Sequence, residues 1–182
     1  MLHSAGILPV CDNKILLGRE KRGWSGFSGK SENNESPFDT AKREFTEETA
    51  GLFCDVVINY EKYKLLETKT PSGYPFFLYI MEFPYIEHIN QKFKLQLKNA
   101  TNKNEKEKEE LAWVNIWNVN TVQLSRSFSI DWKSIKKLIL QRYENHNRPR
   151  HHRPRTTDQE MIVQKCVQKC GVLVGDRKTK EV

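Results

Sequence analysis

Three glutamates, Glu44, Glu47 and Glu48, lie within about one helical turn and are the side chains of this 182-residue chain best suited to chemistry. Because successive residues of an α-helix are about 100° apart, all three carboxylates fall on one side of a helix. Carboxylates this close repel one another unless a cation lies between them. Oxygen ligands alone suit a hard divalent ion such as Mg²⁺ or Mn²⁺. The spacing therefore predicts a metal site, and we interpret it as one that handles phosphates.

The glutamates end a longer pattern that runs from Gly29 to Glu48 as GKSENNESPFDTAKREFTEE. This segment resembles the Nudix box, which is written G-x5-E-x7-R-E-U-x-E-E-x-G-U, with U a bulky aliphatic residue. Glu35 occupies the first acidic position, and Arg43 immediately precedes Glu44 as the pattern requires. Neighbouring features extend the likeness to about residues 3 to 142.

Two positions of the box differ from the family pattern. Phe45 replaces an aliphatic residue and keeps its apolar character, and Ala50 stands where the closing glycine is expected. Gly51 follows directly, and glycine is common just past the end of a helix. We therefore interpret Gly51 as the cap and expect Ala50 to extend the helix by one residue.

The resemblance implies an α/β protein with the Nudix fold, in which a mixed β-sheet is sandwiched between α-helices. It also implies a Mg²⁺-dependent pyrophosphohydrolase, with Mn²⁺ as a substitute ion. Its substrate would be a nucleoside diphosphate linked to another moiety, such as a nucleoside triphosphate, a dinucleoside polyphosphate or a nucleotide sugar. In the family, the three glutamates and the backbone carbonyl of Gly29 hold the metal. By the same resemblance, Arg43 orients a catalytic glutamate and Glu35 has a structural role.

The general base has two candidates. Family members use either the glutamate after the arginine, which is Glu44 here, or a glutamate on a distant loop. The loop before Trp113 offers Glu105, Glu107, Glu109 and Glu110. We favour Glu44 and keep Glu110 as the alternative base or as an extra metal ligand.

Several further residues are candidates for substrate binding. Lys30 lies inside the box loop, and Arg19 and Arg22 follow the second predicted strand; all three are either phosphate ligands or ordinary surface charges. Aromatic rings stack well on nucleobases, and equally well on a protein core. The stacking candidates are Trp24, Tyr74, Phe76 and Trp113.

The elements that position these residues follow from local patterns. Ser36 and Pro37 form a strong helix start, and a second amphipathic helix is predicted at about 130–143. Apolar runs between turn residues predict the strands. They span residues 6–10, 14–18, 24–27, 53–60, 63–67, 75–83 and 111–114, with a weak edge strand at 93–97.

We divide the chain into a hydrolase domain at residues 1–143 and a basic, flexible tail at 144–182. The net charge is +7, and the tail contains the arginine-rich run from Arg148 to Arg155. Such a run favours contact with RNA phosphates or is simply a solvated segment. The tail therefore leaves mRNA decapping as an alternative function. A Nudix-fold nucleotide-binding module without turnover is the other alternative.

No stretch of about 18 apolar residues is present, and the chain start lacks the basic-then-apolar pattern of a signal peptide. From this we expect a cytoplasmic protein that does not enter a membrane.

Overall fold

The computed structural model describes residues 2–56, 59–99 and 107–147. The arginine-rich part of the predicted tail, from residue 148 onward, and the candidate Glu105 lie outside these residues. Seven strands and three α-helices are found in the described part. In chain order they are β1 (Ser4–Cys11), β2 (Lys14–Glu20), β3 (Gly23–Ser25), β4 (Phe27–Lys30), α1 (Pro37–Glu48), β5 (Tyr63–Lys69), β6 (Pro75–Glu82), α2 (Ile89–Asn99), β7 (Glu110–Asn115) and α3 (Arg126–Asn147).

The strands form one mixed sheet. Its order is β3-β2-β1-β6-β5, with β4 paired to β1 and β7 paired to β2. Strands β1 and β6 run parallel, whereas the other pairs are antiparallel. Strand β1 therefore has a central place, and it carries β4, which contains Gly29, on the sheet.

Two apolar clusters lie on opposite faces of this sheet because side chains alternate along a strand. On β1, Ala5 and Ile7 belong to one cluster and Leu8 and Val10 to the other. The first cluster includes residues of α1 and α2, and the second includes residues of α3. The expected mixed sheet between helices is thereby confirmed. Among the described residues, none of the helices is long and apolar enough to span a bilayer.

The start of α1 agrees with the sequence. Ser36 is the N-cap, and its side chain accepts a hydrogen bond of 3.1 Å from the backbone N–H of Asp39. Pro37 is the first helical residue, where its missing N–H costs nothing. These local contacts fix the residue at which the helix begins.

The end of α1 corrects the expectation for Ala50. The helix ends at Glu48, and Ala50 has a φ of 50°, in the left-handed region. The backbone N–H of Ala50 donates to Glu47 O at 2.9 Å, and that of Gly51 donates to Thr46 O at 2.8 Å. This pair of bonds is a Schellman motif, which places Ala50 at the position normally taken by glycine. The departure from the box therefore leaves a strained alanine.

Replacing Ala50 with glycine should stabilise the protein. Glycine adopts a left-handed conformation without the steric cost that a Cβ carries, so we expect the free energy of unfolding to rise by about 0.5–1 kcal/mol. Urea denaturation measures this change. Ala41→Gly in the interior of α1 is the control and should lower the same quantity by about 1 kcal/mol or more. A loss of stability in Ala50→Gly would contradict the assignment of strain.

Two predicted strands are wrong. Residues 93–97 belong to helix α2, where Ile89 and Phe93 are buried one turn apart while Leu95 is 61% exposed. A strand would have placed Leu95 on the same face as Phe93, so the short alternation was misleading. Residues 53–56 and 59–60 form turns instead of a strand, and Phe53 packs against Phe45 at the end of α1. Helix α3 also starts earlier than predicted, at Arg126.

Candidate active site

Arg43 is the centre of the hydrogen-bond network on the acidic side of α1. Its Nε and Nη2 donate to the two carboxylate oxygens of Glu35 at 2.8 and 3.1 Å. Its Nη1 donates to Glu44 at 2.9 Å and to Glu47 at 3.4 Å. A further bond of 2.8 Å from Nη2 reaches the backbone oxygen of Lys30. One guanidinium thus joins the helix to the loop that precedes it.

Glu35 holds this loop in place. Besides Arg43, its carboxylate accepts from the Glu32 backbone N–H at 2.9 Å and from the Thr40 hydroxyl at 3.0 Å. The hydrogen bonds from Arg43 lower the pKa of Glu35 to about 2, against the opposing effect of burial. Since these bonds favour the ionised form, Glu35 stabilises the fold when charged.

The contribution of Glu35 should depend on pH. Its pKa is lower in the folded than in the unfolded protein, so its stabilisation is complete above an ordinary pKa of 4.5 and is lost as pH falls towards 2. We expect Glu35→Gln to unfold more easily than wild type at about pH 6, and the difference to shrink below pH 4.5 and to be lost as pH falls through about 2. Urea denaturation across this range measures it. Glu32→Gln, an exposed control, should have nearly the wild-type free energy of unfolding at every pH. If Glu35→Gln lowered the free energy of unfolding by the same amount at every pH, the charge of Glu35 would not be what stabilises the fold.

Gly29 lies directly against Glu44. A Cβ added at Gly29 would overlap the Glu44 carboxylate, so only glycine leaves room for it. Burial raises the pKa of Glu44, and the bond from Arg43 opposes this shift. The carboxylate is therefore held between strand β4 and the Arg43 guanidinium, in a position suited to accept a proton.

Glu48 is the most deeply buried of the three glutamates, with 4% exposure. Its Oε2 accepts from the Ser28 backbone N–H at 2.8 Å, and its Oε1 lies 3.3 Å from the ammonium of Lys108. Burial raises the pKa of Glu48 to about 8, although Lys108 acts in the opposite direction. The sequence interpretation missed Lys108, because a lysine in the charged run before β7 looks like one more surface charge.

The donor set fits a hard divalent cation, because the three glutamates and the Gly29 carbonyl offer only oxygen atoms. In the described part of the chain, however, no three acidic, histidine or cysteine side chains are gathered as a ready-made metal site. In the described residues Arg43 binds Glu44 and Glu47 instead. A cation would have to take over oxygens that Arg43 now holds.

Glu110, the alternative base, is bound to another candidate. Arg19 on β2 lies opposite Glu110 on β7 and donates to its carboxylate at 2.8 Å. Arg19 also pairs with Glu109 at 3.5 Å. The structure therefore brings Arg19 and Glu110 together as an ion pair, separate from the contacts that Arg43 makes.

The other candidates are distributed over the surface and the core. Arg22 and Tyr74 are exposed. Trp24 packs against the cluster under α3, and Trp113 packs against the opposite cluster beside Tyr85.

A cavity of about 440 Å³ lies between the sheet and α3. Lys30 and Gly29 lie at its wall together with Phe76, and α3 contributes Phe128 and Asp131. Its size falls in the range of small-molecule sites, and its mixture of aromatic and polar groups is typical of them. Lys30, the last residue of β4, therefore lines the same cavity as Gly29.

Comparison with family models gives the class of protein: the model described as NUDIX domain matches residues 2–138, which makes the protein a hydrolase that acts on phosphorus-containing acid anhydrides. The chain belongs to the Nudix family.

Solved structures that are similar to this chain have low sequence identity to it. A MutT structure from work on Aliivibrio salmonicida and Vibrio cholerae is 15% identical with a TM-score of 0.49, over 75% of this chain and 96% of that chain. A bifunctional NMN adenylyltransferase/ADP ribose pyrophosphatase from Francisella tularensis is 16% identical with a TM-score of 0.51, over 77% of this chain and 40% of that chain. The latter protein was also solved with AMP and a Mn ion, at 17% identity and a TM-score of 0.49, over 78% of this chain and 41% of that chain. No curated protein sequence matches the chain.

Proposed function

We propose that this protein is a Mg²⁺-dependent pyrophosphohydrolase that cleaves a nucleoside diphosphate linked to another moiety. The observation that carries the proposal is the Glu44 carboxylate, which is held between Gly29 and Arg43. Gly29 also lines a cavity of ligand size, so one residue contacts both the acid–base group and the space for an organic substrate. The family supports the type of bond, and the cavity supports a nucleotide-sized substrate.

In this proposal Glu44, Glu47, Glu48 and the carbonyl of Gly29 hold the cation. When bound, Mg²⁺ would neutralise charge on the phosphates and make an attacking water more acidic. Glu44 accepts a proton from the attacking water. The oxygen of that water bonds to phosphorus, and the bond between phosphorus and the bridging oxygen breaks. The bridging oxygen keeps the electron pair of the broken bond. Glu110 is the alternative base and is held by Arg19.

We assign the remaining parts of the substrate to residues that line the cavity. Lys30, exposed at the cavity wall beside Gly29, is placed to contact a phosphate. Phe76 and Phe128 offer aromatic surface for a nucleobase or a second moiety, and Asp131 offers a carboxylate to its polar edge. Arg19 and Trp24 do not line this cavity, so we assign substrate binding to Lys30 in preference to them.

A hydrolysis assay tests the proposal. The full chain is incubated with Mg²⁺ and a panel of nucleoside triphosphates, dinucleoside polyphosphates, nucleotide sugars and capped RNA, and the products are separated by chromatography. We expect turnover of at least one nucleotide, and a decrease of about 10²–10⁴-fold in Glu44→Gln. Wild type that binds a nucleotide but turns over no faster than Glu44→Gln would instead indicate a binding module. Preferential release of a capped-RNA product would make decapping the function.

A further inference from the structure

Lys108 is an almost completely buried lysine, with 2% of its side chain exposed. Its ammonium contacts the Glu20 carboxylate and the Ser25 hydroxyl, each at 2.8 Å, and the Gly26 carbonyl at 3.1 Å. The nearest oxygen of Glu48 is 3.3 Å away. Isolated charges are costly to bury, so a lysine in this position needs partners of opposite charge, and it has two.

The surroundings of Lys108 are built to hold it. Its aliphatic stem passes over Gly18 on β2, where an added Cβ would lie 2.8–3.1 Å from three carbon atoms of the lysine. The next residue, Glu109, donates its backbone N–H to Arg19 O at 2.8 Å, and β7 begins at Glu110. The sheet thus holds the backbone beside Lys108 and its aliphatic stem, which fixes the position of the ammonium group.

The distribution of hydrogen bonds leaves Glu48 available. An ammonium group has three N–H donors, and the three shorter contacts go to Glu20, Ser25 and Gly26. The contact with Glu48 is the longest and therefore acts mainly through charge. Lone pairs on both carboxylate oxygens of Glu48 remain for another cation, while the positive charge and the Ser28 N–H hold the group in place.

We propose that Lys108 is a positioning residue that acts through Glu48: its anchored charge holds this buried carboxylate in place to receive the divalent cation. The inference rests on the proposed function, because it needs Glu48 to be a ligand of that cation. The alternative is that Lys108 only ties β7 to β2 and β3, as an internal ion pair with Glu20.

Binding of Mn²⁺ in the absence of nucleotide separates these two roles. Mn²⁺ is titrated into the full-length protein, and the free ion is followed by electron paramagnetic resonance. We expect Lys108→Met to weaken Mn²⁺ binding at least about tenfold. Lys21→Met removes the same charge from an exposed turn, and its Mn²⁺ affinity should stay within about twofold of wild type. In the Glu48→Gln background, Lys108→Met should cause no further loss, since its effect passes through Glu48.

A second variant covers the case in which Lys108→Met unfolds. Lys108→Met/Glu20→Gln removes both members of the internal ion pair, so it should recover stability in urea denaturation without recovering Mn²⁺ affinity. Wild-type Mn²⁺ affinity in Lys108→Met/Glu20→Gln would overturn the role of Lys108. An equal loss of Mn²⁺ affinity from Lys108→Met in the wild-type and Glu48→Gln backgrounds would also overturn it. Unchanged affinity in Lys108→Met would overturn it as well. Wild type that binds no Mn²⁺ would remove the metal step of the proposed function and this inference together.

Discussion

Gly29→Ala is expected to reduce turnover about 10²-fold while the protein remains folded. The added methyl group would occupy the space of the Glu44 carboxylate, and a displacement of about 1 Å in a catalytic group is enough for such a loss. The φ of Gly29 is not positive, so alanine itself fits the backbone. Because the overlap is with the end of a flexible side chain, Glu44 can swing away and the free energy of unfolding should fall only slightly.

A double-mutant cycle isolates this cause. In the Glu44→Ala background the overlapping carboxylate is absent, so adding Gly29→Ala should change neither the residual turnover nor the free energy of unfolding. Steady-state kinetics and urea denaturation of the four proteins give both quantities. The contrary result is that Gly29→Ala lowers turnover by the same factor in the Glu44→Ala background as in wild type. That result would show that the glycine is needed for another reason, and that its close approach to Glu44 does not position the base.

Arg43→Lys should affect activity and stability together. Lysine keeps the charge but cannot reproduce the fork that binds both oxygens of Glu35 while a further N–H reaches Glu44. We expect the free energy of unfolding to fall by about 2–3 kcal/mol, the scale of charge-assisted hydrogen bonds that lose their partner. Turnover should fall about 10²-fold, because Glu44 loses the contact that orients it.

Lys42→Ala is the matched control for Arg43. Lys42 is the preceding residue of the same helix, and it pairs with Asp39 at 3.0 Å on the exposed side. Exposed pairs of this kind contribute about 0.5 kcal/mol or less, so both measured quantities should stay close to wild type. If Lys42→Ala lowered turnover and the free energy of unfolding as much as Arg43→Lys does, the effects would come from a general weakening of helix α1 and not from the hydrogen bonds of Arg43.

The sequence correctly predicted the parts of the fold that depend on neighbours along the chain. The cap at Ser36 needs only the next few residues, and it appears as expected. The spacing of Arg43 from Glu44 and Glu47 sets their proximity through helix geometry alone. The strand predicted at residues 93–97 failed because Phe93 is buried in the core while Leu95 is exposed, as in a helix.

The turn that ends helix α1, at Ala50 and Gly51, could not be predicted from the glycine pattern. A glycine one residue late looks in the sequence like a shifted cap, but the hydrogen bonds place Ala50 at the left-handed position. Ala50 and Gly51 both have a left-handed φ, of 50° and 70°, and the chain that turns there brings Phe53 against Phe45. The glycine pattern alone does not contain this information.

The sequence by itself therefore identified the residues on which the proposed chemistry depends: three glutamates, an arginine and a glycine at spacings that a single helix and the segment before it bring together. Only the tertiary structure decided how these groups are held and what lies beside them. Lys108 meets Glu20 across 88 residues of chain, and the cavity joins residues from β4 to α3. Contacts at such separations are set by which surfaces bury together, and burial is a property of the packed sheet and helices that no local spacing encodes.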